Sequence, residues 1–228
     1  MDTQTRDQVV IRFAGDSGDG MQLLGTQFTH TAALFGNDLA TFPDFPAEIR
    51  APAGTPEGVS GFQVQFADHD IFTPGDAPDV LVAMNPAALI KNLGTLRKGG
   101  LVIVNTDKFG KLDLKKARLE TNPLEDDTLA DFRVFQAPIS TLVKDAVAEH
   151  GLNTKQADRC KNFFALGMMY WMYDRSMDNT TRWLQGKFKS PYLEANLAAM
   201  HAGHAFAETA GFFQNQYEVP AAKDLPEG

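Results

Sequence analysis

The fold is decided by the stretch Gln8-Val-Val-Ile-Arg-Phe-Ala14, which runs directly into Gly15-Asp-Ser-Gly-Asp-Gly20. The first part is short, apolar and rich in β-branched residues, a composition that favours a buried strand. The glycines that follow predict a tight turn. Residues 21–35 then place apolar side chains at helical spacing until Gly36 and Asn37 give a stop signal. The sequence therefore opens with a strand, a glycine loop and a helix.

A second unit of the same kind lies downstream. Residues 79–84 predict another buried strand, Asn85-Pro86 is a typical start of a helix, and residues 101–105 predict the next strand. Residues 61–66 alternate apolar and polar side chains, as a half-exposed strand would. Further strands are predicted at 38–41 and 132–136, and helices at 86–96, 139–150, 157–175, 179–188 and 191–213. Since strands come early and helices late, we expect a three-layer α/β/α fold with a mostly parallel sheet and a helical C-terminal part.

Composition limits the classes of function. The chain has 228 residues and a formal net charge of -8 at pH 7, so its surface offers no general attraction to a nucleic-acid backbone. The only cysteine, Cys160, cannot by itself hold an iron–sulfur cluster, and such cysteine usage is typical of a reducing compartment. The longest apolar run, at residues 163–171, is too short to span a bilayer. We therefore expect a cytoplasmic protein with neither a nucleic-acid nor a membrane partner.

The glycine loop at residues 15–20 is the first candidate site. It follows a buried strand and precedes a helix, so backbone N–H groups and the helix dipole would converge there on an anion. Its spacing, G-x-x-G-x-G, differs from both the dinucleotide fingerprint and the Walker pattern. Asp16 and Asp19 would also repel a phosphate lying close to them. A tight turn that only closes the strand–helix unit is an equally good interpretation.

The second candidate is the segment at residues 42–58, which contains four prolines and two glycines. Connections of this length usually carry function, because a compact domain seldom keeps a long loop without use. We expect this segment to form either a long ordered loop or a flexible flap. Arg50 is its only cation.

Other chemistry-bearing residues favour plainer interpretations. His201, His204 and Glu208 can share one helix face and bind a divalent metal, but no other His or Cys joins them, so a polar stripe on a packed helix is preferred and no metal site is predicted. A Gly-Asp-Gly triplet can open a magnesium–thiamine diphosphate motif. The later stretch Phe45-Pro-Ala-Glu-Ile49, however, lacks the asparagine pair of that motif. A thiamine site within this chain is therefore disfavoured.

Five motifs follow one another along the chain: Ile11-Arg-Phe-Ala-Gly-Asp-Ser-Gly-Asp-Gly-Met-Gln22, Phe45-Pro-Ala-Glu-Ile-Arg50, Gly58-Val-Ser-Gly-Phe62, Asp79-Val-Leu-Val-Ala-Met-Asn85 and Lys161-Asn-Phe-Phe-Ala-Leu-Gly167. Together they resemble the gamma domain of the 2-oxoacid:ferredoxin oxidoreductases, and most closely the N-terminal part of the 2-oxoglutarate:ferredoxin oxidoreductase alpha subunit. The resemblance covers nearly the whole chain. One departure is the loop, because many gamma domains carry a Gly-Gly-Gln-Gly sequence where this chain has Ser17-Gly-Asp-Gly20.

The resemblance implies a division of labour. Such enzymes decarboxylate a 2-oxoacid on thiamine diphosphate, pass electrons through iron–sulfur clusters to ferredoxin, and release an acyl-CoA. Their gamma domain is associated with binding of coenzyme A and with covering the active site. This chain would therefore be an oxidoreductase component that is inactive alone, with thiamine diphosphate, Mg and the iron–sulfur clusters held only by partner domains or subunits.

The resemblance also implies a domain organisation and a set of partners. Residues 1–216 would form the coenzyme A-associated gamma domain, and residues 217–228 would form a linker toward a thiamine-pyrimidine-binding domain that this chain lacks. The expected partners are that domain or the remainder of an alpha subunit, a beta subunit, and ferredoxin through the assembled complex. The expected substrate is 2-oxoglutarate.

The residues that the resemblance assigns to coenzyme A lie in three places. They are Gly15, Ser17, Gly18, Asp19 and Gly20 with Met21 at the helix start, then Phe45, Glu48 and Arg50 on the flap, and Asn85 at the end of its strand. No catalytic residue is assigned. Two of them have competing interpretations: Arg50 can instead form an ion pair with Glu48 or Glu57, and Asn85 can serve only as the N-cap of the helix that starts at Pro86.

Two other classes of function compete with this assignment. The chain could be a stand-alone nucleotide-binding or interaction domain without catalysis. An NAD-dependent Rossmann enzyme is a weaker alternative, because the glycine spacing is wrong and Asp38 precedes its strand, where a ribose-binding carboxylate should end it.

Overall fold

The computed structural model describes residues 2–48, 51–210 and 215–223. In these ranges the strands are β1 (Asp2–Thr5), β2 (Gln8–Asp16), β3 (Asp38–Asp44), β4 (Val59–Ala67), β5 (Val80–Ala83), β6 (Leu101–Asn105), β7 (Arg133–Ala137) and β8 (Asn215–Glu218). The helices are α1 (Met21–Phe35), α2 (Pro86–Leu93), α3 (Lys111–Lys116), α4 (Ile139–Ala146), α5 (Thr154–Asp158), α6 (Lys161–Met172), α7 (Asp178–Lys187) and α8 (Tyr192–Thr209). The single helix predicted at 157–175 is thus divided into α5 and α6. None of the described helices combines the length and apolarity needed to cross a membrane.

The main sheet has the strand order β3-β4-β2-β5-β6-β7. Strands β2, β5, β6 and β7 are parallel, whereas β4 runs antiparallel to both of its neighbours. Helices α1, α4, α6 and α8 pack on one face of the sheet and α2 packs on the other. Every residue of β5 and β6 is buried, which explains why both strands are continuous apolar runs in the sequence. The predicted α/β class, mostly parallel sheet and helical C-terminal part are confirmed.

The antiparallel edge separates this fold from a dinucleotide-binding one. Strand β3, which follows α1, pairs antiparallel with β4 at the edge of the sheet. The Asp38 carboxylate accepts backbone N–H groups of Leu39 at 2.9 Å and Ile71 at 2.7 Å, so it joins the start of β3 to the segment that follows β4. A ribose-binding carboxylate would instead stand at the carboxyl end of a parallel strand.

One buried arginine of β2 connects the edge strand β3 with helix α2. Arg12 is 7% exposed in the middle of β2. Its Nε donates to Asn92 Oδ1 of α2 at 3.0 Å, and its Nη2 is paired with Asp44 at the end of β3. Because a buried charge is tolerated only when it is paired and hydrogen-bonded, these contacts tie the edge strand β3 to α2 across the sheet.

The helices α6 and α8 cross at glycines. Every residue of α6 is buried. A Cβ atom on Gly167 would lie 2.0 Å from the carbonyl oxygen of Met200, and one on Gly203 would lie 1.9 Å from that of Phe164. The two helix backbones therefore touch at these glycines. The buried aromatic and methionine side chains of α6 belong to the main core of the domain.

The C-terminal segment packs on the domain. Strand β8 pairs in parallel with β1 in a separate two-stranded sheet, and Val219 after it is fully buried. Arg175 Nη2 donates to the carbonyl oxygen of Val219 at 3.0 Å, and Asn37 Nδ2 donates to that of Pro220 at 2.6 Å. Residues 217–222 thus lie against the domain, and residues 224–228 lie outside the described ranges. The linker predicted at residues 217–228 stays a prediction. That a thiamine-pyrimidine-binding domain follows stays a prediction.

Candidate functional site

The two strand–helix units place their loops at one point on the carboxyl edge of the sheet. Strands β2 and β5 are parallel neighbours. The connection after β2 leads through α1 to one side of the sheet, and the connection after β5 leads through α2 to the other side. Such a switch point leaves a crevice outside the strand ends, where α/β proteins bind ligands. A cavity of about 460 Å³ lies there, bordered by the glycine loop and Asn85.

The three glycines of the loop differ in whether the structure around them leaves room for a side chain. Gly20 caps α1 with a left-handed backbone (φ 76), and a Cβ there would lie 2.5 Å from Asn162 Nδ2. A Cβ on Gly15 would lie 2.8 Å from Asp19 Oδ2. A Cβ on Gly18, in contrast, would meet no atom within 4 Å. Gly18 borders the cavity and is therefore the loop glycine at which a Cβ atom can be added without a clash.

A buried ion cluster holds the loop in place. Lys161, at the start of α6 and 4% exposed, has its Nζ 2.8 Å from Asp19 Oδ1 and 2.9 Å from Asp158 Oδ2. Burial by itself would lower the pKa of Lys161, but the charge of Asp19 and hydrogen bonds with both carboxylates outweigh it and raise the pKa. Asp158 ends α5 and Lys161 starts α6, and the two side chains, three residues apart, lie together at this edge. The loop is thus fastened to the helical layer by a charged lysine.

The ion cluster continues to the next strand of the sheet. Ser140 Oγ donates to Asp158 Oδ1 at 3.4 Å, and Asn105 Nδ2, at the end of β6, donates to Ser140 Oγ at 3.0 Å. Asn105 is fully buried. The carboxyl ends of β2 and β6 are therefore linked through side chains of α4, α5 and α6.

Asp16 joins the glycine loop to the second half of the flap. Its Oδ1 accepts the backbone N–H of Gly54 at 2.9 Å, and its own N–H donates to Asp19 Oδ2 at 2.9 Å. Burial raises the pKa of Asp16, and the Gly54 hydrogen bond offsets part of that rise. A second tie is the ion pair of Glu57 Oε1 with Arg118 Nη2 at 2.7 Å. Residues 51–58 therefore form an ordered wall of the cavity.

Asn85 has one satisfied and one unsatisfied side-chain group. Its Oδ1 accepts the backbone N–H of Ala88 at 2.8 Å, which confirms the N-cap interpretation. Its Nδ2 is buried and has no hydrogen-bond acceptor at bonding distance among the described residues. It is nevertheless close enough to Asp16 to lower the pKa of that carboxyl. A buried donor without an acceptor is costly, so this amide is available to an acceptor atom of a ligand.

The predicted site residues divide into two groups. Ser17, Gly18, Asp19 and Asn85 border the cavity. The others do not border it: Gly15 and Gly20 shape the loop, Met21 is a core residue, Phe45 is 67% exposed, and Glu48 is exposed. Arg50 lies outside the described residues.

Four cations that sequence reasoning missed border the same cavity: Lys108, Lys116, Lys155 and Arg159. Lys108 is 4.0 Å from Asp158. The other three form no ion pair with any described residue. The four cations come from three separate segments, so no spacing in the sequence could have shown that they border one cavity. The cavity lining thus carries five cations, with Lys161, against the four carboxylates Asp16, Asp19, Asp113 and Asp158. The exposed cations at its border can attract a negatively charged ligand.

The chain is similar to known proteins over nearly its whole length. A family model described as pyruvate ferredoxin/flavodoxin oxidoreductase matches residues 10–206. The 2-oxoglutarate oxidoreductase subunit KorA of Mycobacterium tuberculosis is 54% identical over 229 residues, which cover 100% of this chain and 35% of KorA. The chain thus spans about a third of the length of that relative.

Two solved structures share the fold. One is the 2-oxoglutarate:ferredoxin oxidoreductase of Magnetococcus marinus with 2-oxoglutarate, coenzyme A and succinyl-CoA bound, with a TM-score of 0.73 at 24% identity over 96% of this chain and 34% of that one. The other is the gamma subunit of a keto/oxoacid ferredoxin oxidoreductase of Geobacter sulfurreducens, with a TM-score of 0.62 at 20% identity over 90% of this chain and 99% of that one. At these identities the likeness concerns the fold.

Proposed function

This chain belongs to the pyruvate ferredoxin/flavodoxin oxidoreductase family, and we propose that it is the gamma domain of a 2-oxoacid:ferredoxin oxidoreductase that acts on 2-oxoglutarate. The identity with KorA over the whole chain supports the choice of 2-oxoglutarate. In this proposal the complete enzyme converts 2-oxoglutarate to its acyl-CoA and reduces ferredoxin, and the present chain holds coenzyme A and covers the active site.

One structural observation carries the placement of coenzyme A. The cavity at the switch point is bordered by three cations without an ion-pair partner among the described residues, Lys116, Lys155 and Arg159. Its lining as a whole carries five cations against four carboxylates, two of which share Lys161. Coenzyme A carries several phosphate charges together with neutral amide groups. Cations without partners attract the phosphates. The unpaired Nδ2 of Asn85 can donate to a carbonyl oxygen of the ligand.

The remaining chemistry belongs to partner domains. The chain has one cysteine, and burial raises the pKa of the Cys160 thiol to about 11, so it is neither a cluster ligand nor a ready nucleophile. Thiamine diphosphate with Mg would supply the decarboxylation, and iron–sulfur clusters would supply the electron path to ferredoxin. We assign these groups to a thiamine-pyrimidine-binding domain or the remainder of an alpha subunit and to a beta subunit, in a cytoplasmic complex.

The Gly18→Val variant tests this function. A Cβ atom at this position meets no protein atom within 4 Å and Gly18 borders the cavity, so the added side chain should narrow the cavity and leave the fold largely unaffected. In the complex assembled with its partner subunits, the KM for coenzyme A should rise about tenfold or more, which corresponds to about 1.4 kcal/mol of lost binding, while the KM for 2-oxoglutarate stays constant. Calorimetry of coenzyme A with the full chain should show the same loss.

Gly94→Val is the matched control. A Cβ on Gly94 also meets no atom within 4 Å, but this residue ends α2 and does not border the cavity. It should leave both KM values unchanged. If Gly18→Val leaves the KM for coenzyme A unchanged as well, coenzyme A does not bind at this loop. If the complex shows no coenzyme A-dependent oxidation of any 2-oxoacid, a stand-alone interaction domain becomes the better assignment.

A further inference from the structure

A small second cavity lies at the opposite, amino-terminal edge of the sheet. Its volume is about 70 Å³. The walls come from the starts of the parallel strands, from Tyr173 after α6 and from Tyr217 of β8. It therefore sits where the small two-stranded sheet closes over the main one, on the far side of the domain from the proposed coenzyme A cavity.

Three arginines and one carboxylate border this cavity: Arg6, Arg97, Arg133 and Asp79. Arg97 is paired with Asp79, whose other oxygen accepts the backbone N–H of Val10 at 2.8 Å. Neither Arg6 nor Arg133 forms an ion pair with a described residue. The local balance is thus two positive charges in excess, although the chain as a whole carries a net charge of -8.

The two unpaired arginines are gathered on one tyrosine. The guanidinium of Arg6 stands 5.5 Å from the centre of the Tyr217 ring, and Arg133 Nη1 lies 3.4 Å from the Tyr217 hydroxyl. Both arginines are exposed, so solvent screens their charges, and no carboxylate among the described residues pairs with either of them. An anion between them would accept hydrogen bonds from both guanidinium groups and from the hydroxyl.

We propose that this cavity binds one dianionic oxyanion of the phosphate or sulfate kind. The excess of two positive charges matches a dianion. Since one water needs about 10–15 Å³ of cavity volume, the cavity holds a few water molecules, which is enough room for a single tetrahedral oxyanion. Because Tyr217 belongs to β8, the bound anion would also fasten the C-terminal strand to the amino edge of the main sheet. This proposal does not depend on the proposed function.

Inorganic phosphate is the probe for the test. The full chain is titrated with phosphate against chloride at constant ionic strength, and binding is followed both by the midpoint of thermal unfolding and by ³¹P NMR line broadening. A saturable rise in Tm is expected, because a ligand that binds only the folded state stabilises it. In Arg133→Ala and Arg6→Ala the affinity should fall about tenfold or more, since each loses a charged hydrogen-bond donor. Arg133→Lys should retain part of the affinity.

Two control variants locate the effect. Lys98→Ala removes a neighbouring cation, 90% exposed, that does not border the cavity, and Lys155→Ala removes a cation from the other cavity. Neither should change the dissociation constant for phosphate measured at this site. The proposal is overturned if the wild type shows no saturable phosphate effect, if Arg133→Ala and Arg6→Ala bind like the wild type, or if Lys155→Ala alone abolishes binding.

Discussion

At the crossing of α6 and α8 a Cβ atom on Gly203 would lie 1.9 Å from the carbonyl oxygen of Phe164, whereas in the glycine loop a Cβ atom on Gly18 would meet nothing within 4 Å. The first glycine is required by packing, since the two helix backbones touch where it stands. The second is not required by any protein contact and borders the cavity. The comparison separates a glycine that serves the fold from one that leaves space for a ligand, and substitutions can test where each region belongs.

The largest effect is expected at the helix crossing. Gly203→Ala should lower the free energy of unfolding by about 3 kcal/mol or more, because the methyl group must displace a backbone carbonyl in a packed core. This loss exceeds the gain of about 1 kcal/mol from the better helix propensity of alanine. Urea denaturation measures the change. Gly186→Ala in α7, where a Cβ meets nothing within 4 Å, is the control and should be neutral or stabilising. Equal stability of the two variants would show that the crossing is not closely packed.

The next effect is expected at the buried lysine of the site. Lys161→Ala leaves Asp19 and Asp158 without their shared cation and should lower the free energy of unfolding by about 2–3 kcal/mol, since an unpaired buried charge is costly. Lys155→Ala, which removes a cation of the same cavity without an ion-pair partner among the described residues, should change stability by less than about 0.5 kcal/mol. Chemical denaturation at pH 7 distinguishes them. If both variants are equally stable, Lys161 does not hold the loop.

A smaller effect is expected at the start of α1. Gly20→Ala should lower the free energy of unfolding by about 1–2 kcal/mol, because the residue has a left-handed backbone and its new methyl group would press on the Asn162 amide. Substitution of Gly20 should thus lower stability, as at Gly203, although Gly20 lies in the same loop as Gly18. The readouts are the unfolding free energy and the affinity for coenzyme A. A Gly20→Ala protein as stable as the wild type would contradict the left-handed cap.

The smallest effect concerns pH at the helix crossing. Burial lowers the pKa of His204 from its ordinary 6.5. The charge of Glu208 raises this pKa in part, and the nearby His201 lowers it further. The unfolded chain therefore binds a proton at higher pH than the folded one, so the stability due to neutral His204 is present above pH 6.5 and is lost as the pH falls below it. His204→Gln should weaken this acid sensitivity by a few tenths of a kcal/mol. Melting curves between pH 5 and 8 provide the check. An unchanged pH profile would remove His204 as its cause.

Local signals were enough to predict the first unit. Helix α1 spans the predicted residues 21–35 because glycines mark both of its ends: Gly20 and Gly36 have φ values of 76 and 100, which few other residues adopt. Strand β6 also spans its predicted residues, 101–105, since an apolar run between Gly100 and a polar turn leaves little choice of bounds. In both cases the deciding residues are neighbours in the chain.

The site was predicted only in part. The glycine loop and Asn85 stand at the ends of predicted strands, so sequence patterns placed them at one edge of the sheet. Lys161 and Asp158 were hidden inside what the periodicity predicts as one continuous helix, and its division at residues 159–160 is a tertiary feature. The apolar periodicity does not show where a helix is divided. Nor does it show the ion pair between Lys161 and Asp19, which are far apart in the sequence.

The sequence by itself therefore determined the α/β class, the order of the strand–helix units, the glycine loop and the family resemblance, because each depends on residues close together in the chain. Only the tertiary structure decided which cations border the cavity, that residues 217–222 pack on the domain, and that Arg6 and Arg133 both contact Tyr217. Charged side chains on separate segments carry no periodic signal, since their neighbours are set by how the layers pack. For the same reason Gly18 and Gly203 are the same letter in the sequence and opposite environments in the fold.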